Sequence, residues 1–94
     1  MNLSEMNLAQ QLAFHYIQAK DRIKSTSEFK NVFADVFGIL CIRASNGIRR
    51  PYKCQLPSKM QDVLVDSFRE SGFKVKELDS DCVEISFTID ENTI

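Results

Sequence analysis

The 94-residue chain holds three glycines, two prolines and one histidine, and each scarcity closes off a class of protein. So few glycines and prolines exclude a flexible or collagen-like chain. Three glycines are too few for a loop that cradles phosphate, and neither G-x-x-x-x-G-K-[ST], G-x-G-x-x-G nor G-x-S-x-G occurs. No apolar run approaches the ~20 residues that span a bilayer, so no membrane partner is expected. The opening Met-Asn-Leu-Ser-Glu-Met-Asn-Leu-Ala has neither the charged start nor the unbroken apolar stretch of a signal peptide. An even disulfide framework is missing too. Cys41, Cys54 and Cys82 are odd in number and form no C-x-x-C pair, and each lies in or beside an apolar stretch. They read as buried reduced thiols in a cytoplasmic protein, without disulfides and without a zinc site.

What is present is an ordinary globular composition, 44% hydrophobic and 27% charged with a formal net charge of −1. The length argues for one domain, residues 1–94, with a modest core. The pattern predicts an α+β fold: two N-terminal helices over residues 4–45, then a β-α-β-β unit over 49–89 with a small three-stranded mixed or antiparallel sheet. The tail, 90–94, is expected to fray.

A first helix is expected from Ser4, an N-cap type, to about Lys24. Met6, Ala9, Ala13, Tyr16, Ile17 and Ile23 lie near one face, while Leu8, Leu12 and Phe14 spread beyond it. So wide an apolar arc predicts two buried sides and hints at self-association. Ser25 and Glu28 have capping-box spacing for a second helix. Beyond them Phe29, Val32, Phe33, Val36, Phe37, Leu40, Cys41 and Ala44 recur at 3, 4, 3, 4 spacing. Gly38 to Ile42 is also strand-like, and Asn46-Gly47 suits a hairpin turn as well as a helix end. The eight stripe positions favour helix to about residue 45.

Arg49 to Leu56 reads as a strand with Tyr52, Cys54 and Leu56 inward, and Pro51, with no amide hydrogen for a ladder, means that it lies at a sheet edge or begins after Pro51. Pro57 ends it, and Ser58 with Gln61 forms another capping box before a third helix bearing Met60, Val63, Leu64 and Phe68. Gly72 stands where a helix C′ residue belongs. Phe73–Leu78 and Cys82–Ile89 then form a hairpin around Asp79-Ser80-Asp81. Val83, Ile85, Phe87 and Ile89 alternate with polar residues, as in a strand with one wet face. The third helix returns the chain so that the second strand runs parallel to the first. The last, antiparallel to both, sits between them or outside the second.

Catalytic constellations are scarce. His15, within Leu12-Ala13-Phe14-His15-Tyr16, is the sole candidate general base, and this setting suits a boundary residue with a wet tip. Glu77, Asp79 and Asp81 surround the last turn but lack the EF-hand pattern, and Asp is a common turn residue. Asp62, Asp66 and Glu70 repeat every four residues and read as a solvated helix face. No enzyme activity, cofactor or metal is expected.

Charge, in contrast, is segregated. Residues 1–19 hold only Glu5, residues 20–59 hold nine Lys or Arg against three Asp or Glu, and residues 60–94 hold three against nine. Arg43, Arg49, Arg50 and Lys53 cluster with Tyr52 interleaved, a pattern able to hold phosphates and stack on bases. The same charges could pair with the acidic half of this chain or of another subunit, or protect a sheet edge.

Leu56-Pro57 leads into Val63-Leu64-Val65-Asp66-Ser67-Phe68-Arg69-Glu70-Ser71-Gly72-Phe73-Lys74-Val75, and then into Val83-Glu84-Ile85-Ser86-Phe87. Over residues 44–88 this helix, the "GFKV" and the closing "EISF" resemble many small uncharacterised proteins of tailed bacteriophages, which often carry "GYxV" and an "ISW"-like last strand. The resemblance implies a phage or prophage accessory protein acting in the host cell cytoplasm, and it supplies no catalytic residues. The expected function is non-enzymatic: self-association or binding of a host protein, with nucleic-acid or nucleotide binding through residues 43–53 as the alternative.

Overall fold

A computed structural model describes residues 7–79 and 81–89. The order is α1 (Leu8–Lys24), α2 (Ser27–Ser45), β1 (Tyr52–Gln55), a 3₁₀ turn (Ser58–Met60), α3 (Gln61–Glu70), β2 (Lys74–Glu77) and β3 (Cys82–Ser86). This is the expected α+β arrangement. The sheet is wholly antiparallel, in the order β1-β3-β2. β3 therefore lies between the two strands that α3 connects. Tyr52 and Val75 both face Ile85 across the ladders, and Cys54 and Glu77 both face Val83.

Helix ends follow from local chemistry, and three of the expected caps move. The Ser4 start lies outside the described residues; α1 is capped by Asn7, whose side chain accepts from the Gln10 amide at 2.8 Å while Gln10 Oε1 accepts from the Asn7 amide at 3.0 Å. Ser25 closes α1 rather than opening α2, since its hydroxyl donates to the Arg22 carbonyl. Thr26 takes over as the α2 N-cap, its Oγ1 accepting from the Phe29 amide. The Ser58–Gln61 box is replaced by the 3₁₀ turn, in which the Met60 amide donates to the Pro57 carbonyl. Both later C-termini are Schellman motifs. Gly47 and Gly72 take φ of +79° and +98°, and the Ile48 and Phe73 amides donate back to the carbonyls of Arg43 and Phe68.

Residues 38–45 are helical, as the 3-4 spacing indicates and against the strand alternative. The strands are shorter than expected. β1 begins at Tyr52 and lies at the sheet edge, as the missing amide hydrogen of Pro51 leads one to expect, but it ends at Gln55; β3 ends at Ser86, leaving Ile89 exposed. The tail 90–94 lies outside the described residues.

The core sits between α2, α3 and one face of the sheet. Leu64, Phe68, Val83 and Ile85 are almost fully enclosed. Phe33 of α2 stacks on Phe68 at 4.4 Å between centroids, and Phe68 meets Phe73 edge-on at 5.8 Å. α3 buries Val65 and Ser67 as well as Val63, Leu64 and Phe68, because it is covered on more than one side, and the fourth expected residue, Met60, is buried from the 3₁₀ turn before it. α1 is the exception. It was expected to bury two sides, and it fully buries no residue. The molecule is correspondingly long, 52 × 31 × 25 Å. Its radius of gyration is 16.0 Å, against about 12 Å for a compact chain of this length.

Candidate interaction surface

α1 is held to the body along its C-terminal half by polar contacts. The Tyr16 hydroxyl donates to Asp66, and Lys20 pairs with Glu70, both on α3. Lys24 Nζ lies 3.8 Å from the other Glu70 oxygen, and Ile23 packs against the core. Asp66 and Glu70 were expected to form a solvated face; they are instead the seat of α1. Partial burial, the bond to Asp66 and the nearby Asp62 and Glu70 carboxylates push the Tyr16 phenol well above its ordinary range. Its hydrogen bond to Glu70 likewise raises Lys20.

The other half of α1 lacks apolar cover. Leu8 and Leu12 are 79% and 71% exposed there, while Ile17, on the opposite side of the helix from Leu8 and next to the Tyr16 anchor, is 57% exposed. In a helix, Leu8 and Leu12 stand one turn apart on the same side as Tyr16 and Ile23, so the apolar face runs on past the point where the body ends. A row of large apolar side chains left in water marks an interaction site more often than a lone one does.

A concave apolar feature lies elsewhere, on one flank of α2. Phe37, Leu40, Cys41, Ala44, Phe73 and Phe87 line an open groove of about 170 Å³. Within that lining Phe37 meets Phe73 edge-on at 6.3 Å. Cys41 is exposed on the wall, and Cys54 and Cys82 are half-buried, so the expectation of three buried thiols does not hold. The 3-4 stripe of α2 is wider than the surface beneath it, leaving Cys41 on the flank. Cys54 sits on an edge strand, where burial nonetheless raises its thiol pKa. Cys82 lies opposite Gln55 on the outer face of the sheet.

The basic cluster is only partly assembled. Arg43, in the last turn of α2, places its guanidinium carbon 5.1 Å from the centre of the Tyr52 ring, and its Nη2 donates to the Arg50 carbonyl at 3.1 Å. Lys53, one residue along β1, points to the opposite face of the sheet and approaches Glu84 at 3.8 Å. Arg49 and Arg50 are exposed, and their guanidinium groups have no carboxylate partner among the described residues. Part of the charge segregation is thus neutralised within the chain, where Lys20, Lys24 and Lys53 meet Glu70 and Glu84.

His15 is exposed near Phe14. No group of three or more His, Cys, Asp or Glu suited to a metal occurs among the described residues. Among the same residues, no helix is long and apolar enough to cross a membrane. No protein-family model, no curated protein and no solved structure matches the chain.

The groove was not read from the sequence. Phe37, Cys41 and Ala44 looked like core positions because their spacing fits the stripe, and Phe73 and Phe87 reach them only through the Schellman turn and the end of β3. The usable signal was the count: eight apolar positions on one helix are more than one contact face can cover.

Proposed function

We propose that this chain is a non-enzymatic interaction protein that works through α1, either by self-association or by binding a host protein. One observation carries the reading: a 17-residue helix fully buries no side chain, while Leu8, Leu12 and Ile17 stand in water along it. A helix held to its own domain mainly by polar contacts and bearing an uncovered apolar face is suited to a second partner. The resemblance of residues 44–88 to tailed-phage proteins supports a phage-encoded accessory role in the host cytoplasm.

Light-scattering mass across a range of concentrations tests this. A discrete oligomer, or a defined complex with a purified host protein, lost on changing Leu8 and Leu12 to polar residues supports it. An unchanged monomer that captures nothing through α1 removes it.

A second reading, anionic-ligand binding, rests on the exposed Arg49 and Arg50, whose guanidinium groups have no carboxylate partner among the described residues, next in sequence to the Tyr52 ring that Arg43 covers. Nucleic acid bound there would fall away steeply with added salt. A sample free of absorbance at 260 nm, or binding flat in salt, removes that reading.

A further inference from the structure

We infer that the joint between α1 and α2 is a one-residue hinge: released from α3, α1 swings out about Thr26 and joins α2 in a single helix over residues 8–45. The hinge goes beyond the reading of α1 as a binding arm and stands whether or not that arm has a partner.

The backbone gives the first support. α1 ends at Lys24 and α2 begins at Ser27. Of the two residues between them, Ser25 already lies in the right-handed helical region, at φ −83° and ψ −10°. Thr26 alone leaves it, with a φ of −75° that suits a helix and a ψ of 148° that does not. Rotation about that one bond makes the path helical throughout. The sequence permits this, since no glycine or proline occurs from Asn7 to Phe37.

Straightening also gains contacts. Ser27 and Glu28 head α2, where helix amides have no carbonyl on a preceding turn. In the continuous helix they reach the carbonyls of Ile23 and Lys24. Lys24, on leaving Glu70, stands one turn from Glu28. α2 supplies the nucleus that an isolated helix lacks, so α1 propagates from it and frays from its free end, where its amides stay open to exchange.

Packing gives the second support. α1 fully buries no residue; Tyr16, Lys20 and Lys24 seat it on Asp66 and Glu70 of α3, with Ile23 against the core. The bend itself is not filled from within. A recess of about 200 Å³ adjoins it, lined by Ile23, Thr26, Glu28, Lys59 and Met60. The angle is set by the Thr26 side chain, whose Oγ1 accepts from the Phe29 amide and donates to the Ile23 carbonyl. The bent form thus has a side-chain lock at Thr26 and a polar latch at Asp66 and Glu70. Both act at the surface, and neither is held by a close-packed interior.

NMR chemical shifts and amide exchange of the full-length chain test the hinge, with Leu12→Glu in every sample so that contacts between copies through α1 are removed. Asp66→Ala with Glu70→Ala cuts the latch and is expected to raise the straight fraction at least tenfold. Adding Thr26→Ala removes the α2 cap and favours a helix interior, for about tenfold more. In that combined variant the Cα shift at position 26 turns helical and the Ser27 and Glu28 amides gain at least threefold protection. X-ray scattering then gives a longest dimension above the 52 Å of the bent form, because the continuous helix alone is about 57 Å long. Thr26→Ser, which keeps the lock, in place of Thr26→Ala returns the shifts to bent values. Random-coil shifts at Lys20–Lys24 once the latch is cut overturn the hinge, since α1 then unfolds instead of swinging. Unmoved shifts at 24–28 in the combined variant overturn it as well, because the joint is then rigid. Unchanged Val83 and Ile85 shifts show in each case that the domain is folded.

Discussion

Replacing Asp66 by Ala should loosen α1 without loosening the domain it sits on. The magnitude follows from the contacts. Tyr16 donates to the Asp66 carboxylate in a partly exposed setting, worth about 1.5 kcal/mol at the lower end for bonds to charged groups. The pairs of Lys20 and Lys24 with Glu70 are half-exposed on the acid side, which limits them to about 1 kcal/mol together. Half-burial of Ile23 adds about 1 kcal/mol. An isolated helix of this length is marginal in water, so α1 should open at about 3–4 kcal/mol. Global stability for 94 residues is about 5–14 kcal/mol. Hydrogen exchange followed by NMR separates the two, in the Leu12→Glu background so that assembly contributes nothing. The α1 amides should show protection of roughly 10²–10³, falling about tenfold with Asp66→Ala, while the Val83 and Ile85 amides of β3 keep theirs. Equal loss of protection in α1 and β3 would refute the reasoning, because it would make α1 part of one cooperative core.

Other expectations concern the body. Phe68→Ala removes a fully enclosed ring stacked on Phe33 and edge-on to Phe73, and urea denaturation should show a loss of about 3–5 kcal/mol. A loss under 1 kcal/mol would contradict this packing. Gly38 lies inside α2, and a Cβ built there meets nothing within 4 Å, so Gly38→Ala should stabilise by about 0.5–1 kcal/mol and raise the melting temperature. Raised values for Tyr16 and Lys20 in the folded state mean that their contribution is complete below the unfolded values near 10 and is lost as pH climbs above them. The α1 amides should therefore lose protection above pH 10, and the phenolate absorbance missing in Tyr16→Phe should appear only in that range; Tyr16 ionising below pH 10 would sink the claim.

Periodicity made α2 and β3 legible. Eight stripe positions outweighed the strand-like Gly38–Ile42, and the alternation through Val83 and Ile85 marked both the strand and its wet face. Gly72 was legible because a helix end needs a positive φ there. The turn between α1 and α2 was not, since Ser25 and Thr26 both carry hydroxyls and only the chain path decides which closes one helix and which opens the next. The seat of α1 was hidden for another reason. Asp66 and Glu70 meet Tyr16 and Lys20 fifty residues away in sequence, and spacing within one helix says nothing about so distant a partner. The basic cluster was legible as composition but not as geometry, because β-strand alternation sends Lys53 to the face opposite Tyr52.

The central place of β3 also orders events during synthesis. β1 and β2 run parallel and are not neighbours, so neither can pair until the segment Cys82–Ser86 arrives between them. Until then the emerging chain has helices and no sheet, and the inner faces of α2 and α3 have nothing flat to settle on. The hairpin of β2 and β3 can close locally, but joining β1 requires closing a loop across the whole of α3. A ribosome-bound chain halted before residue 82 would thus present the helices, α1 among them, to neighbouring chains ahead of any folded domain.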